Sequence, residues 1–240
     1  MNKVKKINNL KVSLYADGAS IQDFITLNKL RYIKGFTTNP SLIKKNKIKN
    51  YKEFSKTLLK KIKNKPISFE VFSDDLLEIE RQVRDIATWG KNVYVKIPVT
   101  NTKGIYTTNI IKKLSNKIIF NVTAIFTMQQ IDKILKNINY NTKIVLSVFA
   151  GRIADTGIDP VKMMKKVIDK KKNYKNVKIL WASTRELYNI YEAEKIKCDI
   201  ITVPVSILKK LNLINKDLKK YSLETINDFY EDGKATKYKI

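Results

Sequence analysis

Eight short apolar segments recur along this chain, and polar or turn-forming residues bound most of them. The segments are rich in valine, isoleucine, phenylalanine and tyrosine, which favour β-strands. They cover residues 12–18, 33–39, 67–72, 93–99, 118–125, 144–151, 177–183 and 200–205. Segments with helical spacing lie between most of them, and strands that alternate with helices predict a parallel sheet.

The helical segments repeat apolar residues at intervals of three and four, which indicates amphipathic helices. The clearest of them cover residues 51–62, 76–89, 159–170 and 184–196, and a last one covers residues 221–235. Asp159 and Pro160 mark one helix start, because aspartate is a favoured N-cap and proline fits the first helical position.

An α/β chain of 240 residues with eight such strands has the size of a single (β/α)8 TIM barrel. A doubly wound open sheet is the alternative, but it more often carries a glycine-rich phosphate-binding turn near its start. The sequence contains neither GxGxxG nor a Walker A motif. No linker or break in composition interrupts the chain. We therefore predict one domain over residues 1–240, a TIM barrel with an additional C-terminal helix.

Histidine is absent from the sequence. Its absence excludes Ser-His-Asp and Cys-His nucleophile systems, histidine-ligated metals and the usual acid–base group near neutral pH. Chemistry in this chain must therefore use Lys, Asp, Glu, Tyr, Ser, Thr or Arg side chains.

The formal net charge is +26, with 48 lysine and arginine residues against 22 aspartate and glutamate residues. A charge of this size invites a nucleic-acid interpretation. The lysines, however, are spread along the whole chain, and aromatic residues do not alternate with them as in single-strand binders. Abundant Lys, Ile and Asn beside five arginines resembles the codon bias of an AT-rich genome. We expect no dedicated nucleic-acid partner, and the charge instead favours attraction of anionic substrates.

The apolar segments are too short, and too often interrupted by charge, for a transmembrane helix. The first 18 residues lack the long apolar segment and cleavage site of a signal peptide. The single cysteine, Cys198, excludes a disulfide framework within one chain and is interpreted as a small buried apolar residue. We therefore expect a cytoplasmic protein without membrane association.

Lys96 interrupts the fourth strand segment, VYVKIPV, at a place where a valine is usual. Strand alternation puts it on the face opposite Val95 and Ile97. Asp17 and Glu70 are the other carboxylates in strand segments, and buried charges of this kind need partners. The three residues form either a structural ion-pair cluster or a catalytic trio. A buried amine in its neutral form can attack a sugar ketone to give a Schiff base, and nearby carboxylates can transfer the protons that this needs. A lysine-dependent aldol reaction is therefore one interpretation.

Further polar residues recur near the predicted C-terminal strand ends, where the functional groups of such barrels lie. They are Thr37, Thr38 and Asn39 in the second strand, Asn121 and Thr123 in the fifth, Ser147 in the sixth and Ser183 in the seventh. Each has an ordinary alternative. A buried Thr or Ser is usually just hydrogen-bonded, Asn39 can cap the helix that begins at Pro40, and Asp17 beside Gly18 can form a turn.

Two of the five arginines follow predicted strands, Arg152 in VFAGRIADTG and Arg185 in WASTRE. A guanidinium group offers planar bidentate donors that match a phosphate. A helix N-terminus after residues 183–184 would add to a phosphate site. The alternative is a structural pair between arginine and a carboxylate, for instance Asp155 or Glu186.

Five segments resemble the successive signature segments of transaldolases, within the class I aldolase superfamily. They read GFTTNPSLI, VYVKIPV, FNVTAIF, SVFAGRI and ASTRE, in the order of the family. The resemblance runs from Asp17 to the C-terminal helix and covers most of the chain. The combination of TTNPS with the lysine of VKIP is its specific part, and the length resembles the short branch related to fructose-6-phosphate aldolase.

The resemblance implies a role for each candidate residue. Lys96 would form the Schiff base with a donor ketose, Asp17 would take the proton of the donor C4 hydroxyl, and Glu70 would act through a water in forming and hydrolysing the imine. Contacts to the substrate or that water would come from Thr37, Asn39, Asn121, Thr123, Ser147, Phe149, Arg152, Ser183 and Arg185. Of these, Arg152 and Arg185 would bind phosphate.

The implied reaction moves a dihydroxyacetone unit from a ketose phosphate, such as sedoheptulose 7-phosphate or fructose 6-phosphate, to an aldose phosphate. It would belong to the pentose phosphate pathway and would need no metal and no organic cofactor. Aldol cleavage of the fructose-6-phosphate aldolase type is the alternative, and a non-catalytic barrel that binds anionic ligands is another.

Three positions bear on that choice. Phe149 stands where transaldolases tend to have Phe and the aldolase branch Tyr, and Glu70 stands where the aldolase branch can carry Gln. Both favour transfer. Val148, by contrast, stands where proline is common in the family, and the YADGAS segment around Asp17 differs from the usual DTA or DTS.

The last helical segment carries Leu223, Ile226, Phe229 and Tyr230 at helical spacing. This apolar face can pack on its own barrel or on a neighbouring subunit. Short members of the family form rings of several subunits, so the resemblance implies a homo-oligomer.

Overall fold

The computed structural model describes residues 4–238 and contains a closed barrel of eight parallel strands in sequence order. The strands are β1 (Ser13–Asp17), β2 (Ile33–Thr37), β3 (Ile67–Glu70), β4 (Val93–Pro98), β5 (Phe120–Ile125), β6 (Ile144–Val148), β7 (Val177–Trp181) and β8 (Ile200–Pro204). The pairing of β1 with β8 closes the barrel. The predicted (β/α)8 TIM barrel is therefore confirmed, and each strand lies within its predicted segment.

The helices cover the outside of the barrel and extend beyond it at the C-terminus. They are α1 (Ile21–Asn28), α2 (Pro40–Lys45), α3 (Tyr51–Lys61), α4 (Leu76–Ala87), α5 (Thr108–Leu114), α6 (Met128–Leu135), α7 (Ala150–Ala154), α8 (Pro160–Lys170), α9 (Asn189–Lys195), α10 (Val205–Leu208) and α11 (Leu218–Thr236). Asp159 caps α8 as predicted, and its side chain accepts a hydrogen bond from the Val161 amide. No helix within residues 4–238 has the length and apolar character to cross a lipid bilayer.

The alternation of side chains along the strands creates two separate apolar regions. Outward-facing residues such as Val95 and Ile97 join the main core between strands and helices. A second cluster contains Tyr15, Val145 and Leu180, and it fills the inside of the barrel. Gly35 makes room for this filling, because a Cβ there would lie 2.5 Å from the Tyr15 ring.

Helix α11 presents its apolar side chains to solvent. Leu223, Ile226, Phe229 and Tyr230 are all more than half exposed, and none of the helix residues, which all lie in the described part of the chain, is buried. The helix therefore does not bury this face on its own barrel. The homo-oligomer expected from the sequence stays a prediction.

Candidate active site

A cavity of about 400 Å³ opens at the C-terminal ends of the strands. Every strand, or the loop that follows it, contributes to its wall. Eleven of the twelve predicted site residues line it, namely Asp17, Thr37, Asn39, Glu70, Lys96, Thr123, Ser147, Phe149, Arg152, Ser183 and Arg185. Among residues 4–238, no three Cys, Asp or Glu side chains come together in a way that can hold a metal ion.

Lys96 lies at the base of this cavity and is only 6% exposed. Its Nζ is 3.0 Å from Glu70 Oε2. It also donates a hydrogen bond of 3.0 Å to the carbonyl oxygen of Thr38. Glu70 and Lys96 are register partners on β3 and β4, so strand pairing itself brings the two charges together. Lys96 and Glu70 therefore form an ion pair, as one interpretation of the sequence expected. Both residues line the cavity and are not buried beneath it.

Asp17 ends β1 on the other side of the cavity base. Its Oδ1 accepts a hydrogen bond of 2.7 Å from the Thr37 hydroxyl, and its Oδ2 accepts one of 3.3 Å from the Asn39 amide. Burial raises the pKa of Asp17, and the negative charge of Glu70 adds to the rise, while the positive charge of Lys96 and the Thr37 hydrogen bond oppose it. A carboxylate with a raised pKa is a stronger base, which suits a group that must take up a proton.

Asn39 combines two functions in one side chain. Its Oδ1 accepts a hydrogen bond from the Leu42 amide and caps α2, and its Nδ2 donates to Asp17. The capping interpretation of the sequence is therefore correct, and it leaves Asn39 in the cavity wall as well.

The backbone of Glu70 is held by the hydroxyl of Tyr51, the first residue of α3. The last register pair between β2 and β3 is Thr37↔Ser68, so β2 does not run alongside Glu70. Instead, the Glu70 amide donates to Tyr51 Oη at 2.9 Å, and Tyr51 Oη donates to the Glu70 carbonyl at 3.2 Å. The tyrosine thus takes the place of the missing strand neighbour. The sequence did not predict this contact, because Tyr51 has the position of an ordinary apolar residue in an amphipathic helix.

We expect Tyr51→Phe to lower kcat about 10-fold, because an unpaired buried amide and carbonyl cost about 1–3 kcal/mol and relax the position of the Glu70 carboxylate. Tyr174→Phe is the matched control. Its hydroxyl donates to the Leu135 carbonyl away from the cavity. Both variants should lose thermal stability, and only Tyr51→Phe should lower kcat. An equal loss of kcat in both would contradict a role in positioning Glu70.

Asn121 is the one predicted site residue that lies beneath the cavity wall. Its Nδ2 donates to Ser68 Oγ at 3.0 Å, and its Oδ1 accepts from Ser147 Oγ at 2.6 Å. Each end of the amide is thus hydrogen-bonded to a protein group, and the direct substrate contact expected from the sequence stays a prediction. Thr123 differs, because it lines the cavity and its buried Oγ1 has no hydrogen-bond partner within the described residues.

Arg185 and Arg152 lie at the mouth of the cavity. Arg185 binds the carboxylate of Asp155 through Nε and Nη2, and Nε lies 3.1 Å from each carboxylate oxygen. The pair between arginine and a carboxylate, which the sequence left as the alternative, is therefore present. The Arg185 hydrogen bonds lower the pKa of Asp155, and the charge of Arg152 adds to this. Arg152 lies over the Phe149 ring at 5.5 Å from its centroid. Both arginines are exposed, so an anion can reach them.

The helix predicted over residues 184–196 begins later than expected. Helix α9 starts at Asn189, and residues 183–188 form a turn. The Asn189 side chain accepts hydrogen bonds from the Arg185 and Glu186 amides, which replaces helical bonding in this stretch. The prediction of a helix N-terminus after residues 183–184 is therefore wrong.

The backbone of the cavity wall has left-handed conformations at two non-glycine residues. Ala124 has φ 59° and Ser183 has φ 63°. Gly151 at the start of α7 packs so closely that a Cβ there would lie 1.6 Å from the Ser183 carbonyl oxygen. Strain of this kind collects at functional sites, where packing can maintain it.

Several cavity residues were not predicted from the sequence. They are Pro40, Ser41, Leu42, Ala124, Ala182, Thr184, Thr202 and Pro204. Thr202 contacts a predicted residue directly, because its hydroxyl lies 2.6 Å from the Thr37 hydroxyl. The segment IITVPV reads as a plain buried strand, so only the alternation of β8 marks Thr202 as facing the barrel interior.

Comparison with known proteins shows the family of this chain. Residues 14–240 match the sequence model of the Transaldolase/Fructose-6-phosphate aldolase family. A probable transaldolase of Nitrosopumilus maritimus is 33% identical over 227 residues, which is 93% of this chain and 97% of that protein. Probable transaldolases of Thermoanaerobacter sp. (32% over 230 residues, 95% of this chain and 100% of the relative) and Caldicellulosiruptor saccharolyticus (34% over 203 residues, 83% and 89%) are similar to it as well. The chain therefore belongs to the transaldolase/fructose-6-phosphate aldolase family.

Proposed function

We propose that the protein is a transaldolase that transfers a dihydroxyacetone unit from a ketose phosphate to an aldose phosphate through a Schiff base on Lys96. The observation that carries the proposal is the buried Nζ of Lys96, 3.0 Å from the Glu70 carboxylate at the base of an open cavity. Asp17 lies in the same cavity base, and two arginines lie at its mouth. The name shared by the relatives, probable transaldolase, supports this reaction class.

Imine formation uses Lys96 and Glu70. The neutral amine of Lys96 attacks the donor ketone at C2, and the resulting carbinolamine loses its hydroxyl as water. Glu70 accepts a proton from the lysine nitrogen and returns one to the departing hydroxyl, directly or through a water. The Thr38 carbonyl, which accepts a hydrogen bond from Nζ, keeps the amine aimed into the cavity.

Carbon–carbon cleavage uses Asp17. Its carboxylate takes the proton of the C4 hydroxyl, the C3–C4 bond breaks, and the aldehyde leaves. The bonding electrons pass to the protonated imine and leave an enamine on Lys96. An acceptor aldehyde then takes up those electrons at its carbonyl carbon, Asp17 returns the proton to the new hydroxyl, and hydrolysis of the imine frees the product and the lysine.

The phosphate of donor or acceptor binds at Arg152 and Arg185. These exposed guanidinium groups offer planar donors at the mouth of the cavity that holds the reacting lysine. Asp155 occupies one edge of Arg185 and places a negative charge beside the phosphate position. It therefore competes with the phosphate for the arginine.

We expect Asp155→Asn to lower the KM for fructose 6-phosphate by about 2- to 5-fold, since an exposed ion pair is worth up to about 1 kcal/mol. The kcat value should stay the same, and the KM for unphosphorylated fructose should not change. Glu186→Gln is the control, because it removes the same charge from an exposed side chain next to Arg185. A higher KM in Asp155→Asn would mean that Asp155 orients Arg185 and does not compete for it.

Borohydride trapping tests the central proposal. Fructose 6-phosphate and borohydride should give a covalent adduct that peptide mass spectrometry places on Lys96. Lys178→Arg, which alters an exposed lysine of β7, should give the same adduct. The absence of an adduct, or an adduct on another lysine, would overturn the proposal.

Addition of an acceptor separates transfer from simple aldol cleavage. Phe149 and Glu70 both line the cavity, and the resemblance to transaldolases implies that these two residue types go with transfer. Erythrose 4-phosphate should therefore raise the rate at which glyceraldehyde 3-phosphate is released from fructose 6-phosphate. Release of free dihydroxyacetone at the same rate without an acceptor would favour aldolase-type cleavage instead.

A further inference from the structure

A chain of three side chains connects β8 to Asp17 across the barrel. The Thr37 hydroxyl lies 2.7 Å from Asp17 Oδ1 and 2.6 Å from the Thr202 hydroxyl. Strand register explains the arrangement, because Asp17 pairs with Thr37 on one side of β1 while Tyr15 pairs with Thr202 on the other. Both threonines are buried, at 2% and 6% exposure, so their hydroxyl groups depend on each other for partners.

The hydrogen bonds of this chain have to reverse when Asp17 changes its protonation state. An ionised Asp17 accepts the Thr37 proton. A protonated Oδ1 instead donates to Thr37 Oγ1, and the Thr37 hydroxyl then needs another acceptor. Thr202 Oγ1 is in place to be that acceptor. The other carboxylate oxygen, Oδ2, already faces the N–H donor of Asn39, which disfavours a proton there.

We propose that Thr202 is a positioning residue that acts through Thr37 to let Asp17 accept and return the substrate proton. The inference rests on the proposed function, in which Asp17 cycles between carboxylate and acid. With Thr202 in place, the buried Thr37 hydroxyl has both a donor and an acceptor in both states, and Thr202, which lines the cavity, can donate its own hydrogen to water there. Without Thr202, the protonated state leaves the buried Thr37 hydrogen unpaired, and Asp17 becomes a weaker base.

The other charged and titratable groups around Asp17 do not connect it to Thr202. Lys96 on β4 and Glu70 on β3 are the charged groups that act on it, with opposite signs. Tyr15 and Tyr94 lie lower in the barrel, and burial raises the pKa of both phenols, so they stay neutral near pH 7. Neither β8 nor α10 carries an ionisable side chain. A change at Thr202 therefore reaches Asp17 through the hydroxyl chain.

The test uses Thr202→Val, which keeps the shape of the side chain and removes its hydroxyl. We expect the acid limb of the pH profile of kcat/KM to move to lower pH by about one unit, as expected for one unpaired buried hydroxyl. The kcat value should fall about 3- to 10-fold, since a weaker base transfers the proton less readily. Thr202→Ser keeps the chain and should restore both values.

Thr184→Val is the matched control. Thr184 is a buried neighbour that also lines the cavity, and its hydroxyl donates to the Thr202 carbonyl, so the same chemical change is made without removing a hydroxyl that leads to Asp17. It should lose stability like Thr202→Val and leave the acid limb in place. An equal shift in both variants, or none in Thr202→Val, would overturn the proposal.

A second measurement does not depend on turnover. The ¹³C carboxyl signal of Asp17, assigned by its loss in Asp17→Asn, can be titrated by NMR in the substrate-free protein. Thr202→Val should lower the midpoint of this titration by about one unit, whereas Thr202→Ser and Thr184→Val should not. An unchanged midpoint in Thr202→Val would refute the proposed coupling of Thr202 to Asp17 through Thr37. A lowered midpoint in a protein that gives no borohydride adduct would instead refute the proposed function.

Discussion

Replacement of Lys96 with methionine should abolish activity and destabilise the protein at the same time. The loss of rate is expected to be on the order of 10⁴-fold or more, since removal of a nucleophile in covalent catalysis has effects of at least this size. The loss of stability follows from Glu70, whose nearly buried carboxylate loses its partner at 3.0 Å. An uncompensated buried charge costs about 3 kcal/mol, near the lower end of measured values because the cavity is open to water.

Lys96→Arg separates the two effects. Arginine keeps the positive charge beside Glu70, so the thermal midpoint should stay close to that of the wild type. It does not lose its proton in proteins and cannot form a Schiff base, so activity and borohydride trapping should both be absent. Thermal unfolding and turnover of fructose 6-phosphate, measured on the same samples, check both expectations. Substantial activity in Lys96→Arg would show that the reaction does not pass through this amine.

The double variant Lys96→Met with Glu70→Gln is the control for the stability effect. It removes both charges of the pair, so it should recover much of the stability that Lys96→Met alone loses. It should remain inactive. A double variant as unstable as Lys96→Met would show that the lysine stem, and not its charge, stabilises the barrel base.

The barrel was predictable because it rests on local patterns. Eight short apolar segments alternate with segments of helical spacing along most of the chain, and the order of the strands in space is their order in the sequence. The position of Lys96 followed from the same alternation, since Val95 and Ile97 are buried in the outer core as expected. Polar residues at strand ends then converge for geometrical reasons, without any need for information on distant contacts.

The partners of the site residues were less predictable, because they depend on register between distant strands. Thr37 and Thr202 are 165 residues apart, and nothing in either segment marks the other as its neighbour. Tyr51 acts on Glu70 because the pairing of β2 with β3 stops at Ser68 and does not reach it. Arg185 pairs with Asp155 and not with Glu186. The sequence did not predict this choice, because residues 183–188 form a turn where a helix was expected.

Asp17→Asn should remove activity while it stabilises the substrate-free protein at neutral pH. Without a proton acceptor for the C4 hydroxyl, kcat is expected to fall about 10²- to 10⁴-fold. The fold should tolerate the change because the hydroxyl chain can reverse. The amide nitrogen of the new side chain can donate to Thr37, and Thr37 can donate to Thr202. The amide oxygen can accept from Asn39, so each group in the chain keeps a partner.

The sign of the stability change follows from the raised pKa of Asp17. Between the ordinary value of 3.8 and the raised value, the folded protein binds the Asp17 proton more tightly than the unfolded chain does. The free energy of unfolding of the wild type therefore falls as pH rises through this window, and Asp17→Asn lacks that loss. The free energies of unfolding of the two proteins should be closest below pH 3.8. Above this pH the variant should become the more stable protein, and the difference should stay constant once Asp17 is ionised. Urea unfolding over this range measures the gap, and Asp228→Asn, which removes an exposed carboxylate on α11, should follow the wild type. A gap that widens as pH falls would mean that the ionised form of Asp17 is the one the fold stabilises.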